Sequence, residues 1–421
     1  MNKKISIFNP YSLLILAVFV EYFPTFFNAA KPSIILGPVH LFFTDIIAIM
    51  VLVYAFFSNL SSQMRSSLKK NNVGRGIQII FGLFFVYSCS KWIFQSDTHD
   101  TGSIRMMLSY TLAYLVLFFF PVCIRWKEGV GKLLSLLIAF LVYIFILHIY
   151  AFATQGYKIH ILSGAFLSML GILYFLALRE NDLLKLSGTQ SFIVKALVIT
   201  TYFMVGHRSG LIALLVGLAV YSIYYKKSAI KEMTVLIAII LVGAGIAFVV
   251  SPKMLSGVED RASSTFDASQ DTYQGRFNNI FTVLDLSKEN PLFGKPLVTN
   301  ESVQMKAMKV TRGNTTTSVM QLVVTPHNLA LEWLLYYGWL GVMLGLSLLI
   351  AMTRFVKRFL RDHKNNAKCY QAGVIMLCAL SHNLFYAFSN VTTNDLFATY
   401  FLYFPLVILI AISRNEESYC N

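Results

Sequence analysis

About twelve stretches of this chain run for 15 to 26 residues almost without charge, and that pattern leaves few folds open. They lie near 11–27, 40–57, 77–95, 104–124, 133–153, 161–178, 192–206, 211–225, 233–250, 328–353, 370–389 and 396–413. A helix needs about 20 mostly apolar residues to cross the hydrocarbon core of a bilayer. Backbone polar groups find no water there, so a crossing segment must satisfy its own hydrogen bonds, as a helix does. The residue-by-residue alternation of an outer-membrane barrel is missing. Composition agrees: 13% of residues are charged and 56% are hydrophobic, with a mean hydropathy of +0.63. A soluble chain would carry about 25% charged residues. A soluble globular enzyme and a disordered chain are thereby excluded. The expected fold is all-α: a polytopic integral membrane protein with about 12 transmembrane helices.

The placement of charge gives the orientation. With the N-terminus in the cytoplasm, the even-numbered connections and both ends face the cytoplasm. They hold 21 of the 35 Lys and Arg, from Lys3 and Lys4 through the run Arg354–Lys368 to Arg414. The short loops of the opposite face hold Lys31, Lys158 and Arg208, with Arg105 at an edge. Under the positive-inside rule both termini are cytoplasmic. In a soluble protein a net charge of +15 would point to nucleic acid; here it follows from topology, and no nucleic-acid partner is expected. Five cysteines with no CxxC spacing make neither a disulfide scaffold nor a zinc site.

One connection departs from the pattern. Residues 251–327 form a long external segment rich in Ser, Thr, Asn and Asp, between transmembrane helices 1–9 (1–250) and 10–12 (328–421). Loops beyond about 15 residues are usually functional or disordered. Apolar residues at Phe277, Ile280, Phe281, Leu284 and Leu286 have helical spacing, so the segment reads as a partly helical lid. No internal repeat and no pair of broken helices in matching halves is visible, which weighs against a transporter.

Three features of the outer face could carry chemistry. Arg208 stands in Gly-His-Arg-Ser-Gly-Leu between two short spans. It could snorkel to headgroups, but its flanking glycines and the scarcity of positive charge on this face suit anion binding. A guanidinium donates two parallel hydrogen bonds to a phosphate. Arg276 stands in Tyr-Gln-Gly-Arg-Phe-Asn-Asn, ahead of Asn290-Pro291-Leu292-Phe293-Gly294. Taken alone it reads as a solvated arginine. The third feature is Pro326-His327-Asn328-Leu329-Ala330-Leu331-Glu332-Trp333, followed by Gly338-Trp339-Leu340-Gly341. Thr325 is placed to cap the tenth helix with Pro326 at its first position, which puts His327 in the first turn. A histidine at the water–lipid boundary can exchange a proton near neutral pH, though a lone histidine is more often structural.

In that order, an Arg after a glycine turn, an Arg before Asn-Pro-Leu-Phe-Gly, and His-Asn ahead of Gly-x-x-Gly, the chain resembles the O-antigen ligase and polymerase superfamily of bacterial envelope glycosyltransferases. The resemblance is best over about residues 200–350; the flanking spans agree only in number and topology. It implies metal-independent glycosyl transfer, without a cofactor, on the outer side of the bacterial inner membrane. The donor would be a glycan on undecaprenyl diphosphate. The acceptor would be lipid A–core in a ligase, or a second lipid-linked glycan in a polymerase. By this analogy His327 is the catalytic base on the acceptor hydroxyl. Arg208 and Arg276 bind the diphosphate, and Asn328 and Glu332 join them as substrate-binding residues. A phosphate leaving group needs charge stabilisation more than a strong acid. No nucleotide-binding glycine loop is present.

Other intramembrane ionisable groups, Glu21, Asp45, Lys91, Arg105, Lys195 and His382, read chiefly as helix-packing pairs or edge anchors, with Lys91 and Asp45 one such pair. Tyr336, Tyr337 and Trp339 read as core or interfacial belt rather than a sugar platform. Two further readings stay open. A metal-dependent oligosaccharyltransferase would want an acidic pair in the first outer loop, which has none, although Asp97 and Asp100 bracket His99 in the second. A lipid-linked oligosaccharide flippase would need charges lining a central cavity and no large outer loop.

Overall fold

The computed structural model describes residues 33–36, 39–42, 75–95, 137–147, 164–178, 186–205, 208–250, 280–295, 306–312, 315–321, 328–389 and 396–414, with a few isolated positions besides. Helices dominate: α1 Arg75–Gln95, α2 Leu137–Leu147, α3 Gly164–Leu176, α4 Gly188–Val205, α5 Arg208–Tyr224, α6 Lys226–Val250, α7 280–287, α8 Leu329–Asp362, α9 Ala367–Ser389 and α10 Leu396–Arg414. Nine of the twelve expected spans coincide with one of these helices. The spans at 11–27 and 104–124 lie outside the described residues.

Two hairpins interrupt the all-helical expectation. Strand β1 (Ser33–Leu36) pairs antiparallel with β2 (Val39–Phe42), so the second expected span opens on a strand. In the outer segment, β3 (Lys306–Arg312) pairs with β4 (Thr315–Gln321), from Lys306 opposite Gln321 to Arg312 opposite Thr315. Each register leaves a two-residue connection beginning with glycine, Gly37-Pro38 and Gly313-Asn314. Glycine-first pairs suit the tight turns that match strand twist. The outer segment is thus partly helical at α7 and partly β. The buried face of α7 is Val283 with Ser287, while Phe281 and Leu284 face outward. A further difference lies at 226–232, expected as a connection: only Tyr225 separates α5 from α6.

Helix α9 sits centrally, packed on α5, α10, α3 and α8. Close approach of α5 requires Gly217, where a Cβ would stand 3.0 Å from the Cys378 carbonyl oxygen. Every residue of 167–178 and of 402–412 is buried, so α3 and α10 are interior helices, apolar all round. Peripheral helices are apolar outward as well as inward. Ile79, Leu83 and Val86 on α1, and Trp339, Met343, Leu346 and Ile350 on α8, are each about half exposed or more. The α8 set is spaced i, i+4, i+7, i+11, one stripe along the helix. A stripe of that kind is disfavoured against water and at home against acyl chains. By length and composition, α8 and α9 are long and apolar enough to cross a membrane.

Candidate functional site

The start of α8 differs from the expected cap. Asn328, with extended backbone (φ −164°, ψ 126°), is the N-cap, and its Oδ1 accepts from the amides of Ala330 at 2.9 Å and Leu331 at 3.3 Å. Two of the four orphan N–H groups of the helix start are satisfied this way. Its Nδ2 donates to the Phe388 carbonyl at 2.6 Å and so ties the start of α8 to the end of α9. The helix therefore begins at Leu329, and His327 precedes the cap in sequence rather than standing in the first turn. Glu332 falls in that first turn and is 1% exposed. The positive end of the helix dipole favours a carboxylate there.

Nine residues further on, the helix breaks. Gly338 has φ 62° and ψ −161°, which divides the expected continuous tenth span into 329–337 and 339–362. A straight helix would separate residues 333 and 345 by about 18 Å at 1.5 Å per residue. Instead the Trp333 ring occupies the position a Cβ on Gly345 would take, so the bend is sharp. The Gly341 side likewise has no room: a Cβ there would lie 2.9 Å from the Trp333 carbonyl oxygen.

A break exposes amides and carbonyls that an intact helix would pair, and inside a membrane protein they need partners. The Asn290–Lys295 turn supplies them. Trp339 N–H donates to the Pro291 carbonyl at 2.9 Å and Leu340 N–H to the Leu292 carbonyl at 3.3 Å. In the other direction, Lys295 N–H donates to the Leu335 carbonyl at 2.7 Å. The turn closes on itself through Gly294 N–H to the Asn290 carbonyl, 2.8 Å. Gly294 also has positive φ, 72°, and meets Gly338 backbone to backbone: a Cβ on Gly294 would lie 2.5 Å from Gly338 N. Only glycine suits both positions. The Asn-Pro-Leu-Phe-Gly and Gly-x-x-Gly motifs, 48 positions apart at their first residues (338 less 290), thus form one junction.

The junction is closed from α1 by Lys91 and Tyr87. Lys91 is 2% exposed, and its ammonium donates to the carbonyls of Phe293 at 2.5 Å, Lys295 at 2.7 Å and Tyr336. An ammonium has three N–H donors, so the set is complete. The rings of Tyr87 and Tyr337 lie 6.0 and 5.9 Å from the same nitrogen. The Tyr87 hydroxyl is 3.1 Å from both the Phe293 and the Tyr337 carbonyl oxygens. Among the described residues the partners of Lys91 are backbone carbonyls. Asp45, its expected partner, lies outside the described residues. Neither Tyr87 nor the role of Lys91 was readable from the sequence. The one available signal was a lysine four residues from the end of an apolar run.

Of the sequence-predicted site residues, Asn328 and Glu332 stand at the start of α8, as described. Arg208 is the first residue of α5, after α4 ends at Val205. Arg276 and His327 lie outside the described residues, four positions before α7 and one before the α8 cap. Asp97, His99, Asp100, Glu21 and Arg105 lie outside them too. Among the described residues no three His, Cys, Asp or Glu gather as a metal-binding group. Tyr336 and Tyr337 are core residues, and Trp339 faces outward at 57% exposure.

The two other intramembrane groups are satisfied within the helix bundle. His382 is fully buried on α9, with Nε2 2.9 Å from the Tyr202 hydroxyl and Nδ1 2.8 Å from Asn383 Oδ1. Tyr202 in turn donates to the Leu167 carbonyl at 2.7 Å. Lys195 pairs with Glu232 across α4 and α6, 2.8 and 3.1 Å to the two oxygens.

Residues 193–346 match the O-antigen ligase family. The matched segment runs from α4 through both halves of the break, and contains Arg208, Arg276, His327, Asn328 and Glu332. No curated protein matches the chain.

Proposed function

We propose, from a chain that carries an O-antigen ligase domain over residues 193–346 and so stands in the O-antigen ligase and polymerase superfamily of membrane glycosyltransferases, the following reaction. A glycan is transferred from undecaprenyl diphosphate to a hydroxyl of lipid A–core or of a second lipid-linked glycan. His327 takes the acceptor proton. The acceptor oxygen forms the new bond to the anomeric carbon. The bond from that carbon to the diphosphate breaks, and the leaving group departs with the electron pair. Arg208 and Arg276 neutralise the charge that gathers on the diphosphate. Asn328 sets the start of α8 immediately after the base, and Glu332 holds a negative charge one turn below, to orient a basic group or the acceptor. The reaction needs no metal, because the two guanidinium groups supply the positive charge.

The observation that carries this reading is that all five residues fall inside the matched segment, which also holds the two motifs that form the backbone junction. In the cell the protein spans the bacterial inner membrane about twelve times, with both termini cytoplasmic and the site outside. The test deletes the gene in its native host and displays surface and lipid-linked polysaccharide on a gel. Wild type and His327→Ala are restored in parallel. Single repeats on the surface lipid identify a polymerase. Long chains stranded on the polyprenyl carrier identify a ligase. Full rescue by His327→Ala would remove the proposed base.

A further inference from the structure

The Lys91 ammonium is placed where a helix-packing lysine has no reason to be. Its three acceptors are main-chain carbonyls from two segments that are not neighbours in sequence: Phe293 and Lys295 in the outer turn, and Tyr336 above the break in α8. The first segment follows α7, whose start is four residues after Arg276. The second ends the half-helix whose N-cap, Asn328, follows His327. The two candidate groups of the reaction thus arrive on two separate pieces of chain, and the pieces meet at this junction.

Between the two backbones themselves the contacts are hydrogen bonds and the close approach of Gly294 to Gly338, and none of them involves a charge. Lys91 cannot accommodate a slide of one segment past the other. A one-residue shift of either segment would carry a carbonyl away from the ammonium and leave a buried charge without its third acceptor. Removing a partner from a buried charged donor is strongly unfavourable. Tyr87, one turn earlier on α1, adds a second contact from the same helix to both segments, at the carbonyls of Phe293 and Tyr337.

We infer that Lys91, seconded by Tyr87, is a positioning residue for glycosyl transfer: it locks the segment that bears Arg276 to the half-helix that follows His327, and so fixes the distance between diphosphate binding and acceptor deprotonation. This rests on the function proposed above. It is not a catalytic residue, since its donors are all engaged by backbone. Its effect on the rate runs through Arg276, because that side chain is useful only when its segment is held in register with the base. A displacement of about 1 Å in such a constellation can cost about 100-fold in rate.

A double-mutant cycle in the full chain tests this. Transfer rates are measured in native-host membranes carrying the host's own lipid-linked glycan, at equal amounts of folded protein, for wild type, Lys91→Met, Arg276→Ala and the double variant. Lys91→Met is expected to lower the rate at least tenfold. The double variant should be no slower than Arg276→Ala within about threefold, since the lock is silent once the group it places is gone. Multiplied losses would mean that Lys91 merely supports the fold, and would overturn the inference, as would Lys91→Met with the wild-type rate while Arg276→Ala is defective. Wild-type rates for Arg276→Ala and His327→Ala would instead overturn the proposed function itself. Should Lys91→Met not accumulate, Tyr87→Phe serves in the same cycle. It removes one hydroxyl and leaves the charge in place, with a twofold to fivefold loss expected that vanishes in the Arg276→Ala background. A loss that persists there overturns the inference.

Discussion

Two lysines, Lys91 on α1 and Lys195 on α4, are buried to nearly the same degree, 2% and 5% exposed, and they are satisfied in opposite ways. Lys195 faces the Glu232 carboxylate, and the two opposite charges make a self-contained unit between α4 and α6. Lys91 faces three carbonyl dipoles whose own helix and turn leave them open. The difference lies in what the lysine leaves behind. Deleting the ion pair as a unit removes two charges and no backbone partner, and such pairs are often replaceable by apolar residues of similar volume. Deleting Lys91 orphans backbone groups that no second substitution can remove. One lysine serves packing. The other serves a backbone shape that a continuous helix does not have.

That contrast can be broken at four points. The largest effect is expected at the junction itself, for Gly338→Ala. The new methyl would need a positive φ and would run into the Leu292 carbonyl, for a loss on the order of 4 kcal/mol or more. Melting in detergent checks it, and a wild-type transition would mean that the two backbones do not meet. Next comes Lys195→Met alone, which leaves Glu232 buried and uncompensated. A loss of about 3 kcal/mol is expected, read as a lowered melting temperature. Smaller is Asn328→Ala, which removes the α8 cap and the tie to Phe388, at about 1–2 kcal/mol. It should also cut glycan transfer out of proportion to that loss if His327, the residue before the cap in sequence, is the base proposed above. Smallest is the paired change Lys195→Met with Glu232→Leu, expected to melt within about 1 kcal/mol of wild type or above it. A paired variant as unstable as Lys195→Met would erase the distinction between the two lysines.

The sequence makes the helices legible because each apolar run is long and its ends are marked by basic residues. It hides the break in α8 for a physical reason. Gly338 sits in a run that stays apolar on both sides, Leu334-Leu335-Tyr336-Tyr337 before and Trp339-Leu340 after, and hydropathy does not register a single backbone angle. The partners of that break come from residues 87–91 and 290–295, far away in sequence, where no local rule connects them. The Asn-Pro-Leu-Phe-Gly and Gly-x-x-Gly motifs are visible as strings, yet only the fold shows that they touch. The outer hairpin Lys306–Gln321 did carry a local signal, the pair Gly313-Asn314 between residues rich in Thr and Val. A search for helical spacing passes over it. The cap is misassigned to Thr325 because Thr-Pro is a strong helix-start string, and Asn328 is as good a cap three residues later. The five candidate site residues were all drawn from short motifs, and the family match covers every one of them.

The lower half of α8, Trp339–Asp362, has one further consequence. Its 24 residues (362 − 339 + 1) rise about 36 Å at 1.5 Å per residue, a little more than the roughly 30 Å of a hydrocarbon core. Its last turns carry Arg354, Lys357, Arg358 and Arg361, whose charges belong among headgroups. With that end moored at one leaflet, a helix of this length would carry Gly338 toward the other, about 24 Å from Arg354 and about 35 Å from Arg361 along the axis. The helix thus works as a depth gauge. Adding or removing a turn between Trp339 and Arg354 would raise or sink the junction by about 5 Å relative to the headgroup plane.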